Sequence, residues 1–524
     1  MNDRRNGEAV MTLDRFYAGL FDRYDERTAI VDERQELTYG ELGDRTARFA
    51  NVLASIGLGN GDFVGILLSN RLEYLIAQLG AARAGVVAVP FNYQVDQSTI
   101  GPILEDANVK TLVVGPEHFE TIQQLRQEAF EFNYLIGVGD ESAPPLGFHQ
   151  FCEMLSRVDA DPPSIATAPD DAAAIHYTGG TTGPPKGTVH THYATILNMY
   201  AHVNELEVHH GVEMLLVTPL GHSAGKFVLA GLMQGGTVHL QQQFDGQRVL
   251  RTIDREGITW TYLIPTMIAR LLDEPAIDDH DLDSLETLTY GSAPIPPARL
   301  AEGLDRLGKV FVQFYGLTEV PNLVAVLPKS KHDPEDDHWL RSAGLRAQLA
   351  EITIFDDETN WDDDVGEIGI RSPYAVDGYL NRDGPFDADG WIRTGDVGYL
   401  DDEGRLYVLD RIQDVLTVDG EAVYSTEVES VIQRHPDVSQ VAVIGVPTEP
   451  TRAADGLDRI RIDQRVKAIV VPADDAELTA EELRAFSAGD LPDRALPESI
   501  DTVGQLPETP YGKIDKRLLR EPYW

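Results

Sequence analysis

Tyr177 to Thr188 reads YTGGTTGPPKGT and closes the apolar, strand-like run Ala172 to Tyr177. Glycine frees backbone amides to turn toward an anion. Gly179, Gly180 and Gly183 therefore fit a loop that points its N–H groups at phosphate oxygens. The hydroxyls of Thr178, Thr181 and Thr182 add donors, and Lys186 adds a positive charge. The P-loop signature needs Gly-Lys-Ser/Thr. Here Pro185 precedes Lys186 and Gly187 follows it, which excludes that reading. The expected setting is a strand before the loop and a helix after it.

The same rhythm extends outward on both sides. Phe63 to Leu68, Val86 to Val89, Lys110 to Val114, Glu213 to Val217, Thr259 to Leu263, Thr287 to Tyr290 and Val310 to Phe314 read as strands. Arg71 to Arg83 reads as an amphipathic helix, and Phe227 to Met233 and Thr266 to Leu272 as helices. Such alternation implies an α/β fold of mainly parallel sheets covered by helices. Its recurrence in two long blocks implies two such sheets. After about Ser342 the pattern shifts to antiparallel strands, Gly366 to Arg371 and Gly404 to Leu409, in a small barrel-like part. From Glu427 a compact α+β pattern follows: a helix over Glu427 to Gln433, strands over Gln440 to Val446 and Val466 to Val471, and a helix over Ala480 to Ala488.

The chain of 524 residues is 42% apolar and carries a formal charge of −43 from 43 basic and 86 acidic side chains. That is enough apolar material for folded cores, and too much length for one of them. The charge argues against nucleic acid and anionic membranes as partners, because both are bound by Lys and Arg clusters. Cys152 is the one cysteine, so no intramolecular disulfide or cysteine-based metal cluster can form. No apolar run reaches the length of a membrane span, and Met1 to Asp14 has no signal-peptide core. A soluble, cytoplasmic protein is expected. Only 9 of the basic residues are lysines, and the acidic excess is spread along the chain. A dispersed acidic, lysine-poor surface fits a salt-adapted protein.

Three further segments carry chemistry. Gln313 to Val320, QFYGLTEV, offers the Tyr315 ring to a base, the Thr318 hydroxyl, and the Glu319 carboxylate to Mg²⁺. In Trp391 to Asp414, Asp396 in a tight turn with Thr394 and Gly395 could accept from ribose hydroxyls, and Arg411 could donate to them. Leu506 to Ile514, LPETPYGKI, sets Lys513 on a Pro/Gly turn near the C-terminus.

With LTYGEL from Leu37, these segments in this order resemble the adenylate-forming acyl-CoA synthetase superfamily across nearly the whole chain. The resemblance implies an AMP-forming acid–thiol ligase with ATP, Mg²⁺ and coenzyme A. Lys186 and the loop threonines would hold the β- and γ-phosphates. Gly291, Ser292, Ala293, Pro294 and Tyr315 would frame adenine, and Gly316 would also bind the nucleotide. Thr318 would contact the α-phosphate, Glu319 would hold Mg²⁺, Asp396 and Arg411 would bind ribose, and Lys513 would bridge the carboxylate and the α-phosphate. It also implies a large domain over 1–410, a hinge at 411–414 around Gln413, and a small mobile domain over 415–524.

Three departures matter. Gln413 stands where the family usually has Asp or Lys. The thiolation stretch keeps Gly420 and Glu421 for CoA but has Ala422 and Ser425 in place of an Asn and a Pro. Pro447 to Gln464 carries an extra loop with Arg452, Arg459 and Arg461 that is either solvated or meets CoA phosphates. The acyl pocket is expected from His222, Ser223, Gly225, Tyr262 and Met267, with His222 as the gate beside the carbonyl. Ser223 cannot neutralise an ammonium, which disfavours an amino-acid substrate. Small and apolar neighbours favour a medium- or long-chain fatty acid, then an aryl carboxylate. Lys226 is expected to snorkel outward rather than to meet the substrate. Transfer to a carrier-protein thiol and a non-catalytic acyl-adenylate-binding protein are the competing readings.

Overall fold

In the computed structural model, residues 11–524 are described except 129, 140–143, 179–184, 356–360, 363, 450–461, 474–475 and 510–513. Two large sheets form the body. One holds nine strands in the spatial order Leu345–Arg346, Ala325–Leu327, Phe311–Tyr315, Thr287–Tyr290, Trp260–Leu263, Glu213–Leu216, Thr237–Leu240, Thr28–Val31, Glu36–Thr38. Its central strands run parallel and its edges antiparallel. The other, of eight strands, is parallel from Ala172–Tyr177 through Val87–Pro90, Phe63–Leu67, Thr111–Val114 and Tyr134–Gly137 to His149–Gln150. Its far edge adds Gly187–Thr191 and Gly378–Tyr379, both antiparallel. Val87–Pro90 and Thr111–Val114 are buried along their whole length, as strands covered on both faces must be.

The expected α/β alternation is therefore present, with two differences. The helix Leu72–Arg83 is not amphipathic: nearly every residue is buried, including Glu73 and Arg83. It lies under other helices, and Arg83 donates to the Gly43 carbonyl and Thr46 while pairing with Asp14. The loop after Tyr177 leads into the strand Gly187–Thr191, not into a helix; the helix His192–Glu205 comes next. The phosphate-loop sequence thus joins two antiparallel neighbours, and the Thr178 N–H donates to the Lys186 carbonyl at 3.0 Å.

Beyond Ser342 the antiparallel expectation holds. Four strands, Glu351–Phe355, Gly366–Arg371, Ile392–Leu400 and Leu406–Arg411, pair in one sheet. The C-terminal part is a small α+β domain in which Val438–Pro447, Gln464–Pro472 and Ser499–Thr502 form a sheet packed by Ser425–Ile432 and Ala480–Ser487. No helix among the described residues is long and apolar enough to cross a membrane.

Candidate active site

The carboxyl ends of parallel strands are where open α/β sheets leave a crevice. Tyr177, Tyr290 and Tyr315 each close such a strand, and the turns after them border one large cleft. Thr178, Lys186, His222, Ser223, Ser292, Ala293, Pro294, Tyr315, Gly316, Thr318, Glu319, Asp396, Arg411, Gln413 and Gly420 all line it. Gly225, Tyr262, Met267, Gly291 and Glu421 do not. Gly179, Gly180, Thr181, Thr182, Gly183 and Lys513, with Arg452, Arg459 and Arg461, lie outside the described residues.

The residues off the cleft have visible work of another kind. A Cβ on Gly225 would stand 2.4 Å from the Leu220 carbonyl oxygen, and one on Gly291 would stand 2.6 Å from that of Phe314. Both glycines let backbones approach closely enough to shape the wall. Tyr262 is buried behind Ser292, and their hydroxyls meet at 3.0 Å. Ser292 has φ +70°, a left-handed conformation uncommon for a residue with a Cβ. Met267 packs into the core around Leu263 and Tyr290, and Glu421 pairs with Arg494.

Asp396 and Arg411 are direct partners across the antiparallel pair Ile392–Leu400 and Leu406–Arg411. Asp396 thus sits within a strand, although a tight turn is the simpler reading of TGD. Arg411 Nε lies 2.6 Å from Asp396 Oδ1, and the Tyr315 hydroxyl donates to Oδ2 at 2.5 Å. The Asp396 charge raises the Arg411 pKa, and burial raises that of Tyr315. The Thr394 hydroxyl accepts from the Asp396 N–H at 3.0 Å, fixing the carboxylate's backbone.

Glu319 is held by a residue that the motifs did not single out. Tyr379 donates its hydroxyl to Glu319 Oε1 at 2.7 Å, while Lys186 Nζ lies 5.3 Å from the centre of the Tyr379 ring. Tyr379 reaches this place because Gly378–Tyr379 pairs with Gly187–Thr191. No cluster of three or more His, Cys, Asp or Glu able to hold a metal occurs among the described residues. A single carboxylate, with one oxygen taken by Tyr379 and with Lys186 nearby, nonetheless suits Mg²⁺, which usually binds one or two carboxylates and keeps several waters.

On the acyl side the expectation for Lys226 is overturned. Lys226 does not snorkel outward; it is 7% exposed, in the first turn of the helix Ser223–Met233. Its Nζ meets His176 Nε2 at 3.1 Å. The neighbouring Phe227 is locked among Trp260, Tyr262 and Phe314, with ring centres 4.8–5.7 Å away, so the helix cannot turn its lysine to water. The wall here is polar, not apolar. Sequence reading missed His176 and His190. The pairing of Ala174 with His190 and of His176 with Thr188 puts both imidazoles on one sheet face, with ring centres 4.8 Å apart. Reading the glycine-rich segment as a connection between antiparallel strands would have revealed them.

The C-terminal end contributes a second unread network. Asp410 accepts from the Ser425 N–H at 2.7 Å and hydroxyl at 2.6 Å, while Lys516 reaches Ser425 Oγ at 2.6 Å and Glu429 at 2.7 Å. Burial pushes the Asp410 carboxyl up to about 6. Arg520 donates to the Gln413 carbonyl at 3.1 Å and pairs with Asp414.

The AMP-binding enzyme family model matches residues 20–380, and the model of the AMP-binding enzyme C-terminal domain matches 427–513. The chain belongs to the AMP-binding enzyme family. A medium/long-chain-fatty-acid–CoA ligase of Mycobacterium tuberculosis is 31% identical over 97% of this chain and 89% of its own. A feruloyl-CoA synthase of an Amycolatopsis species is 33% identical over 95% and 96%. Among solved structures, the amide bond synthetase McbA of Marinactinospora thermotolerans superposes with a TM-score of 0.85 at 29% identity, covering 98% of this chain and 100% of its own. The matches to this AMP-binding enzyme take in the small C-terminal domain as well as the large one.

Proposed function

We propose that the chain is an ATP-dependent acid–CoA ligase. It activates a carboxylic acid as acyl-AMP with release of pyrophosphate, then passes the acyl group to CoA with release of AMP. The observation that carries this is the convergence on one cleft of the Tyr315–Asp396–Arg411 constellation and the Glu319–Tyr379–Lys186 chain. In the first step the acid's carboxylate attacks an anionic α-phosphorus, so positioning and countercharge dominate. Asp396 accepts from ribose, with Arg411 holding the aspartate and meeting the same sugar. Lys186 and the threonines of the loop are assigned to the outer phosphates, and Thr318 to the α-phosphate. Tyr315, Gly316 and the segment Gly291 to Pro294 surround adenine. Glu319 would hold Mg²⁺, which would supply countercharge to the phosphates, and Tyr379 orients that carboxylate by occupying one of its oxygens.

Lys513 supplies the bridging charge between the carboxylate and the α-phosphate. Its loss should remove about 3–4 kcal/mol, roughly 10²–10³ in the adenylation rate. Thioester formation from supplied acyl-adenylate should be largely spared in Lys513→Ala; equal losses in both half-reactions would overturn the assignment. The hinge lies at 411–414, between domains over 1–410 and 415–524. Arg520 on the Gln413 carbonyl gives the last helix a grip on that pivot. Gly420 and Glu421 belong to the CoA-facing stretch.

ATP–pyrophosphate exchange over fatty and aryl acids tests adenylation; no exchange with any acid would overturn the ligase reading. Loss of the usual Asn and Pro near Ala422 and Ser425 keeps a second acceptor in play. AMP release with CoA, a carrier-protein thiol or an amine decides between them. The charge of −43 fits a cytoplasmic, salt-adapted enzyme that binds no nucleic acid. Molar KCl shortens the Debye length to about 3 Å and relieves carboxylate repulsion. Its thermal midpoint should rise between about 0.1 and 3 M KCl, and a flat or falling midpoint would sink the salt-adapted reading.

A further inference from the structure

We infer that the acid this enzyme activates carries a second oxygen function, a carboxylate or a phenolic hydroxyl, which docks on Lys226 between His176 and His190. This rests on the ligase reading and names the substrate class of the same site.

Three elements build the place. His176 comes from Ala172–Tyr177, His190 from Gly187–Thr191, and Lys226 from Ser223–Met233. All three side chains are more than nine-tenths buried, yet all three line the cleft beside His222 and Ser223. Their hydrogen-bond roles follow from the network. The Thr188 hydroxyl spends its one hydrogen on the His176 carbonyl at 2.7 Å. His190 Nε2, 3.0 Å from the same hydroxyl, must therefore be the donor, which leaves its Nδ1 as an acceptor. The Lys226 ammonium can only donate, so His176 Nε2 accepts from it. The other nitrogen of His176 then carries the hydrogen and faces the Gly221 carbonyl.

Two of the three Lys226 hydrogens thus lack an acceptor among the described residues, and no described carboxylate pairs with it. A buried ammonium without a counter-ion is costly. The first turn of a helix is also a poor place for a cation and a good one for an anion. Both histidines stay neutral, because burial and the Lys226 charge push their pKa values down. The wall therefore cannot supply a negative charge. Burial brings Lys226 down to about 8, so near neutrality it is still mostly charged. An incoming oxygen supplies what is missing: a carboxylate pairs with the ammonium, and a hydroxyl accepts from it while donating to His190 Nδ1.

The test is ATP–pyrophosphate exchange with matched acids: hexanoate against adipate, and cinnamate against 4-hydroxycinnamate and 4-carboxycinnamate. The wild-type enzyme should favour an oxygenated member at least tenfold in kcat/KM, and the better aryl arm says whether hydroxyl or carboxylate is read. Lys226→Met, which keeps the length and loses the charge, should cut that ratio tenfold or more. Equal or better use of the plain acids by the wild type would overturn the inference while leaving the ligase reading intact. So would a preference that survives in Lys226→Met. The wild-type ratios stand on their own should the variant fold poorly. Absence of exchange with every acid would instead overturn the ligase reading and this inference with it.

Discussion

The two halves of the cleft handle charge in opposite ways. On the nucleotide side, Asp396 holds Arg411 at 2.6 Å and Tyr315 at 2.5 Å before any ligand is considered. On the other side, Lys226 meets the neutral imidazole of His176, with no carboxylate partner among the described residues. The charges of the paired half hold each other in place, which suits the one invariant ligand proposed for it, the nucleotide. The unpaired half depends on what enters it, which is how a pocket discriminates between acids: an unsatisfied buried polar group rejects a substrate that leaves it so.

The largest effect that can strain this contrast is acid. His192 and His202 lie in the helix His192–Glu205, packed against the helix that carries Lys226, and His332 lies beneath Tyr290. Burial lowers each to about 4. The unfolded chain takes up these protons near pH 6.5 and the folded one only near pH 4, so stability is lost as pH falls through that window. Each contributes up to about 3 kcal/mol over the range. Asp410, raised to about 6, works the other way, because its folded carboxyl binds a proton before the unfolded one does. The imidazoles outnumber it, so the thermal midpoint should drop steeply from pH 7 to pH 5. A level midpoint would mean that these histidines are hydrated.

Asp396→Ala comes next. It leaves Arg411 without its carboxylate and ribose without its acceptor, at about 3–4 kcal/mol, or roughly 10²–10³ in kcat/KM for ATP. A loss under about tenfold would mean that the pairing does not prepare the nucleotide side. Glu319→Gln keeps the Tyr379 contact but loses the charge a hard cation prefers. A Mg²⁺ titration of the exchange rate should shift to higher concentration; an unmoved titration would take Glu319 out of the metal's shell. Tyr379→Phe should have the smallest effect. It removes one hydrogen bond to a charged group, about 1.5–3 kcal/mol if fully expressed, and less at this part-exposed site. Its mark should be a weaker Mg²⁺ response that Glu319→Gln does not add to. Fully additive losses would separate the two residues.

Legibility in the sequence followed the range of the interactions. Thr287–Tyr290 and Gly366–Arg371 have the expected bounds, because short strand-like patterns between turns are a local signal. The Asp396–Arg411 pair was visible as two motifs, but its contact depends on the antiparallel register that sets one opposite the other. The helix Leu72–Arg83 misled because Glu73 and Arg83 look like a solvent face, whereas partners elsewhere in the chain cover them. The resemblance implies Gly225 and Met267 in the acyl pocket through the segments that carry them; in the fold one serves close approach and the other core packing.

By itself the sequence determined the α/β class and the order of the motifs, since alternation, glycine freedom and charge type are properties of short segments. Only the tertiary structure decided that Lys226 points inward, that His176 and His190 flank it, and that Tyr379 joins Glu319 to Lys186. Those facts rest on strand register and on an aromatic cluster that fixes a helix's rotation. Lys226 lies 50 positions from His176 and Tyr379 lies 60 from Glu319, and no local pattern encodes such meetings.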